Sequence, residues 1–179
     1  MPDSDLIDLA RDINSRCRLR GTFTLRSGSI AEEYFDKYLF ESDPVLLRRV
    51  AERMAALLPG DVDALGGLEL GGIPLVTTLS QLTGLPALFI RKQAKAHGTR
   101  RLAEGGDVSG RRVVLVEDVI TTGGAVVAAA AALREGGAPV DTVVCAIDRT
   151  DQGGSLLAEQ GIAVTAALTK QLLDTVDTA

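Results

Sequence analysis

The chain has 179 residues, of which 46% are hydrophobic and only 3% aromatic, with no tryptophan. This length suits one domain with its own core, which must be packed mainly from Ala, Val, Leu and Ile. The formal net charge of −5 argues against general binding to nucleic acid or to an anionic membrane.

The cysteines and the first residues bear on the compartment. Cys17 and Cys145 are far apart and have no Cys or His at metal-ligand spacing, which indicates reduced thiols in the core. The start of the chain carries acids where a signal peptide carries bases, and no apolar run reaches membrane-spanning length. We therefore expect a cytoplasmic protein without a membrane segment.

The first forty residues predict a helix and then an aromatic segment. Apolar residues at helical spacing between positions 3 and 18 indicate an amphipathic helix that ends near Gly21. The pieces 23–28 and 34–38 are typical of short strands around a turn. Five of the six aromatic residues lie within 23–40, and composition alone fits an aromatic mini-core as well as a binding wall.

The next part of the chain alternates helices and strands. A glycine-rich turn, with four glycines within seven residues, could direct several backbone N–H groups at one anion, although such turns also serve as plain tight connections. The predicted elements are a helix from Asp43-Pro44 to about Leu58, a strand 62–65, the glycine-rich turn 66–74, a helix 73–82 and a strand 87–90.

A basic segment follows at 91–101. It contains six basic side chains, counting His97, which is the single histidine, and no acid occurs from Leu70 to Ala103. The low apolar content and Gly98 indicate a mobile loop with a local positive field. A nucleic-acid patch would also be basic, but no aromatic residue lies here to stack on a base.

The strongest signal is Val113–Gly124, which reads Val-Val-Leu-Val-Glu-Asp-Val-Ile-Thr-Thr-Gly-Gly. Its apolar start predicts a short strand buried on both faces, with two carboxylates at its end. A Thr/Gly turn then opens an alanine-rich helix over 125–133, whose free N–H groups and dipole suit one phosphate. The carboxylates suit a neutral diol such as ribose. A sugar phosphate therefore fits this stretch better than a bare nucleotide phosphate.

The C-terminal part continues the alternation. We predict a strand 140–147, a helix 153–160, a strand 163–168 and a helical turn 169–173. Strand and helix alternation favours an α/β fold with a mainly parallel sheet flanked by helices. Arg149, at the end of a strand, either reaches a ligand or forms a surface ion pair with Asp148 or Asp151.

Val113–Gly124 resembles the phosphoribosyl-pyrophosphate (PRPP) motif of type I phosphoribosyltransferases. Three further segments are similar to those of orotate phosphoribosyltransferases: the hood sequence Phe-Thr-Leu-Arg-Ser-Gly with Tyr-Phe-Asp, the pyrophosphate loop 66–74, and Arg-Lys-x-x-Lys-x-His-Gly at 91–98. The resemblance implies a single phosphoribosyltransferase domain over 1–179, in which 1–40 contributes a small N-terminal hood and 91–106 a mobile catalytic loop.

The resemblance also implies a reaction: orotate and PRPP give orotidine 5′-monophosphate and pyrophosphate, a step of de novo pyrimidine (UMP) biosynthesis. The catalytic cations would be those of the basic loop, Arg91, Lys92, Lys95 and His97. The residues that bind PRPP would be Leu70, Gly71, Glu117, Asp118, Val119, Ile120, Thr121, Thr122, Gly123, Gly124 and Ala125. The residues that bind orotate would be Arg26, Tyr34, Phe35, Thr121 and Arg149.

Two positions depart from the commoner family residues. The family often has Lys at the position of Arg26, and a guanidinium is a different donor from an ammonium. Many orotate enzymes also carry Lys where this chain has Gly71. Backbone donors, or a cation from elsewhere in the chain, would then act in its place.

Mg²⁺ is the implied cofactor, held mainly by PRPP and waters rather than by a metal site of the chain. The resemblance implies a homodimer in which the loop 91–106 is shared across subunits. Two alternatives stay open: a phosphoribosyltransferase for another nucleobase, and a non-catalytic regulator that senses PRPP.

Overall fold

The computed structural model describes residues 4–24, 27–93, 102–150 and 155–177. Arg26, Lys95 and His97, three of the residues singled out above, lie outside these ranges. None of the helices in the described ranges is long and apolar enough to cross a membrane.

The described residues form a hairpin and a six-stranded sheet with helices on both faces. The helices are α1 Ser4–Cys17, α2 Tyr38–Glu41, α3 Pro44–Ala55, α4 Gly72–Thr83, α5 Gly124–Glu135, α6 Ser155–Glu159 and α7 Lys170–Asp177. The strands are β1 Arg18–Thr24, β2 Ile30–Phe35, β3 Ala64–Leu68, β4 Ala87–Ile90, β5 Ala103–Glu104, β6 Val113–Ile120, β7 Thr142–Asp148 and β8 Ala163–Thr169.

The large sheet confirms the predicted α/β class. Its strand order is β5-β4-β3-β6-β7-β8. Every neighbouring pair is parallel except β4 and the two-residue edge strand β5, which are antiparallel. The strand β6 lies at the centre, so its carboxyl end opens between β3 and β7.

The core has one layer on each face of the sheet because side chains alternate along a strand. Val114 and Val116 of β6 pack in the layer that also contains residues of α1, α3 and α4. Val113 and Leu115 point to the other layer, which contains residues of α5. The predicted burial of this strand on both faces is confirmed.

The N-terminal hairpin differs from its predicted boundaries. The first helix ends at Cys17 rather than near Gly21, because the chain from Arg18 onward pairs with β2 in antiparallel register. The second strand ends at Phe35 rather than continuing to Tyr38. There the Asp36 carboxylate accepts a hydrogen bond from the Tyr38 N–H at 3.1 Å, and the short helix α2 begins.

Other boundaries also differ, and three of these differences follow from strand pairing or core packing. Gly66 and Gly67 belong to the buried strand β3 rather than to a turn, since both pair with β4 and β6. The strand β6 continues through its two acids to Ile120, because its later residues pair with β7. The last helix extends to Asp177, where an apolar face packs on the core through Leu173.

Both cysteines are buried and neither forms a disulfide, as predicted. Burial raises the pKa of the Cys17 thiol to about 12. Burial, together with nearby carboxylates, also raises the pKa of Cys145 far above its ordinary value.

Gly67 sets the distance between β3 and α4. A Cβ atom at this position would lie 2.5 Å from the Gly72 carbonyl oxygen and 2.5 Å from a methyl carbon of Val76. The first of these contacts is with backbone, which has little freedom to move. The strand can therefore approach the start of α4 only if position 67 lacks a side chain.

We predict that Gly67→Ala lowers the free energy of unfolding by about 1–3 kcal/mol, the usual cost of overpacking a core. The measurement is urea denaturation followed by circular dichroism. Gly60→Ala is the control, because a Cβ there would meet nothing within 4 Å. Equal stability of the two variants would contradict this explanation of Gly67.

Candidate active site

The site lies at the carboxyl end of β6, where Glu117 and Asp118 are consecutive strand residues. Asp118 is buried, with 1% of its surface exposed, and Glu117 is half-buried. The Glu117 carboxylate accepts a hydrogen bond from the Asp118 N–H at 3.0 Å. The two acids are therefore held by the local backbone at the place where parallel α/β sheets bind ligands.

An anion cradle follows directly. Gly123 adopts a left-handed conformation with φ of 78° and leads into α5 without a side-chain cap on the first turn of that helix. A Cβ at Gly123 would lie 2.8 Å from Leu157, so both the conformation and the space require glycine. The uncapped N–H groups at the start of α5 are available to a phosphate.

The cradle is also the wall of a small pocket of about 70 Å³. This volume is well below the roughly 300–1,000 Å³ of sites that enclose whole drug-sized molecules, and suits a single phosphate group. The residues that line the pocket are Glu117, Val119, Ile120, Thr121, Thr122, Gly123, Gly124, Ala125 and Val126. All but Val126 are among the residues assigned above to PRPP.

The pyrophosphate loop between β3 and α4 approaches these acids. Leu70 at its tip is 63% exposed, and the Glu69–Leu70 peptide bond is cis. A Cβ at Gly71 would lie 1.5 Å from Oδ2 of Asp118. The loop therefore touches the buried acid, and no side chain fits at position 71 in this arrangement.

Lys37 and Glu41, two residues that the sequence did not assign, complete this cluster. The Lys37 ammonium lies 2.5 Å from Oδ2 of Asp118. Glu41 is buried in α2, and a Cβ at Gly71 would lie 2.9 Å from its Oε1 atom. The Glu41 carboxyl also hydrogen-bonds with the Asp118 side chain.

The cluster contains one cation, Lys37, and three carboxyl groups, those of Glu41, Glu117 and Asp118. Although burial opposes ionisation, the contacts with Lys37 and Glu117 keep the pKa of Asp118 below its usual range. Burial and the Asp118 charge raise the pKa of Glu117 and that of Glu41, each to about 8. At neutral pH the cluster therefore carries the charges of Asp118 and Lys37 and little more.

Two neighbouring aromatic residues of the hood, Tyr34 and Phe35, make different contacts. The Arg149 guanidinium lies over the Phe35 ring, 5.3 Å from its centroid, and the Arg149 N–H donates to the Ile120 carbonyl at 2.8 Å. Tyr34 instead packs beside Phe23, with ring centroids 5.5 Å apart. The structure thus brings Phe35 and Arg149 together and leaves Tyr34 in the other pair.

The described first residues of the basic segment, Arg91 and Lys92, contact the sheet and the pyrophosphate loop. The backbone N–H of Arg91 donates to the Leu102 carbonyl at 2.9 Å. Its guanidinium lies 3.4 Å from the Glu104 carboxylate. The Lys92 N–H donates to a carboxylate oxygen of Glu69 at 2.6 Å. Arg91 and Lys92 therefore begin the segment beside the pyrophosphate loop.

A second and wider groove, of about 660 Å³, lies between α1, α3 and β8. It is lined by residues such as Leu9, Arg49 and Ala167. None of the residues assigned to PRPP, orotate or catalysis lines it. This groove is therefore separate from the candidate site at the end of β6, although it is the wider of the two.

The phosphoribosyl transferase domain model matches residues 45–163, which include the pyrophosphate loop, the basic segment and the whole of β6 and α5. The chain belongs to the phosphoribosyltransferase family. Its described fold agrees with that membership.

The more specific relatives are orotate phosphoribosyltransferases. The enzyme of this name from a Nocardioides species is 62% identical over 166 residues, which is 93% of each chain. The crystal structure of orotate phosphoribosyltransferase from Aeropyrum pernix has a TM-score of 0.82, 30% identity and coverage of 96% of this chain and 99% of that one. The Mycobacterium tuberculosis enzyme in complex with PRPP has a TM-score of 0.81, 27% identity, and coverage of 95% and 99%. Within the family, these relatives place the chain among the orotate phosphoribosyltransferases.

The raised pKa of Glu41 predicts a pH-dependent stability. The folded state binds the Glu41 proton more tightly than the unfolded chain does, because the pKa of this carboxyl is 4.5 when unfolded and about 8 when folded. The stability gained from the proton is full below the unfolded pKa and is lost as the pH rises toward 8. Glu41→Gln lacks the titrating carboxyl. The free energy of unfolding of this variant, relative to that of the wild type, should therefore rise between pH 5 and pH 8.

Chemical denaturation at several pH values measures the difference. Glu52→Gln, at an exposed position in α3, is the control and should follow the wild-type profile. A constant difference between Glu41→Gln and the wild type across this range would show that the carboxyl does not titrate as predicted.

Proposed function

We propose that this chain transfers the 5-phosphoribosyl group from PRPP to orotate, with release of pyrophosphate and formation of orotidine 5′-monophosphate in pyrimidine biosynthesis. The observation that carries the proposal is the single place where the uncapped start of α5, the acids of β6 and the pyrophosphate loop meet. These three parts match the 5′-phosphate, the ribose diol and the pyrophosphate of one substrate.

The turn and α5 would hold the 5′-phosphate. Its oxygens would accept hydrogen bonds from the hydroxyls of Thr121 and Thr122 and from backbone N–H groups at Gly123 and Gly124. The left-handed conformation of Gly123 starts the helix without bulk at the anion. The phosphate would thus fix one end of the ribose.

Glu117 and Asp118 would bind the two ribose hydroxyls. A carboxylate accepts hydrogen bonds and a protonated carboxyl can also donate one, and each ribose hydroxyl can do either. With the diol and the 5′-phosphate both fixed, C1 of the ribose has one remaining orientation, which is the positional control that a displacement at this carbon needs.

Breaking the bond between C1 and pyrophosphate leaves positive charge on the ribose and negative charge on the leaving group. Leu70 and Gly71 would place backbone groups at the pyrophosphate, and Arg91, Lys92, Lys95 and His97 would add positive charge when the loop 91–106 closes. Closure would also exclude water from the reacting carbon.

Mg²⁺ would enter with PRPP. We expect the ion to be held mainly by substrate phosphates and waters. The ion supplies charge neutralisation on pyrophosphate oxygens. The residues of this chain then act on PRPP around that ion.

Orotate would lie under the hood. Phe35 and Arg149, which form a cation–π contact, would offer an aromatic wall and a donor for the orotate carboxylate or ring. Arg26, Tyr34 and Thr121 are the other proposed contacts. A ring nitrogen of orotate can act as nucleophile without a strong general base, so we assign none.

The first test is an absorbance assay of the purified protein with Mg²⁺, PRPP and orotate, with uracil, hypoxanthine and adenine in parallel. We expect turnover with orotate alone. Turnover with another base would retain the chemistry and overturn the assignment of the hood to orotate. Binding of PRPP without turnover of any base would favour a PRPP-sensing regulator instead.

Lys95→Ala tests the loop. If Lys95 neutralises the leaving group, kcat should fall about 10²–10³-fold, as when other charge-stabilising groups are removed. The control is Lys170→Ala, which removes a lysine from α7, where it is paired with Asp174. An unchanged kcat for Lys95→Ala would remove the loop from the mechanism.

Sharing of the loop between subunits has its own test. Lys95→Ala subunits are mixed with Glu117→Gln/Asp118→Asn subunits and allowed to exchange. If the loop serves the neighbouring site, mixed dimers contain one intact site, and equal mixing should restore about a quarter of the wild-type activity. No activity above that of the separate variants, or a monomer in sedimentation, would contradict sharing.

A further inference from the structure

Lys37 is placed to touch a ligand as well as Asp118. Its side chain is 33% exposed although its ammonium is paired with a carboxylate that is 1% exposed. An ammonium has three N–H donors, so the contact with Asp118 leaves others for an acceptor on the open side. The ammonium also lies over the Tyr38 ring, 5.4 Å from its centroid.

The acceptor can be identified from the arrangement around Asp118. The ammonium lies 2.5 Å from Oδ2 of Asp118, and that oxygen lies 1.5 Å from the place where a side chain at Gly71 would begin. The hood side of the cluster and the pyrophosphate loop therefore converge on one point. Glu41 places a buried carboxyl at the same point, where it hydrogen-bonds with the Asp118 side chain.

The chemistry of PRPP relates this point to the leaving group. The pyrophosphate is bonded to C1, and C1 is bonded to C2, whose hydroxyl is one half of the diol. A cation that lies against the carboxylate of the diol site is therefore beside the substituent on C1. Phosphate oxygens are strong acceptors for an ammonium.

We propose that Lys37 is a pyrophosphate-binding residue, which contacts the pyrophosphate of PRPP from the hood side while it remains paired with Asp118. The proposal rests on the proposed function of the site and adds to it a cation from outside the basic loop. As negative charge develops on the leaving group, a fixed ammonium at this position favours the transition state.

The charge state of the cluster supports this role. Burial and the Asp118 charge raise the pKa of Glu41, so near neutral pH its carboxyl is largely protonated and does not repel a phosphate. Although burial opposes the charge of Lys37, its contact with Asp118 raises the pKa of the ammonium. Lys37 therefore stays charged under the conditions in which pyrophosphate must be bound.

Two probes separate this role from a structural one. Pyrophosphate with Mg²⁺ reports the leaving-group site, and ribose 5-phosphate reports the diol and 5′-phosphate sites; both are titrated calorimetrically. For Lys37→Met we expect the Kd of pyrophosphate to rise at least about tenfold, the effect of losing one charged hydrogen bond. The Kd of ribose 5-phosphate should change less than about threefold.

Lys37→Arg keeps the charge and should retain most of the pyrophosphate affinity, and Lys170→Met serves as the control for removal of a lysine elsewhere. Because Lys37→Met leaves Asp118 without its cation, it can destabilise the fold. Lys37→Gln, which can still donate to Asp118, is the second variant and should weaken pyrophosphate in the same way.

An unchanged Kd for pyrophosphate in the folded neutral variants would overturn the proposal. An equal loss for both probes would also overturn it, and would make Lys37 a positioning residue for Asp118. These outcomes are independent of the orotate assay: a wild-type protein that binds pyrophosphate but does not convert orotate would refute the proposed function and leave Lys37 to be judged by binding alone.

Discussion

The site depends on one ion pair, between the buried carboxylate of Asp118 at the end of β6 and the partly exposed ammonium of Lys37 in the hood. A buried carboxylate is costly unless it is paired. Here its partner, Lys37, lies in the chain before the first strand of the large sheet. The pair therefore joins the hood to the central strand. It also defines the space that Gly71 must leave open.

The sequence signals that were local in the chain predicted the structure well. The alternation of apolar segments was sufficient for the parallel sheet, and the Thr/Gly turn was sufficient for the start of α5. Boundaries set by strand pairing were not predictable in this way. Gly66 and Gly67 predict a turn because glycine is usual in turns, whereas pairing with β4 and β6 makes them strand residues.

The site followed the same division. Glu117 and Asp118 could be found from the sequence because they lie next to the turn and helix that make their chemistry recognisable. Lys37 and Glu41 could not, because their role arises only when the fold brings their side chains to Asp118 and the pyrophosphate loop. A charged residue among hood aromatics and an acid beside Phe40 were the only signals. Neither specifies a partner so distant in the sequence.

The two thiols have a practical consequence. Both cysteines of the chain are buried, and burial raises the pKa of each, so almost no reactive thiolate is present near neutral pH. We therefore expect these two thiols to react slowly with maleimides in the folded protein. A single cysteine introduced at a surface position would be the one reactive thiol, and a fluorophore could be attached there without first removing the native cysteines.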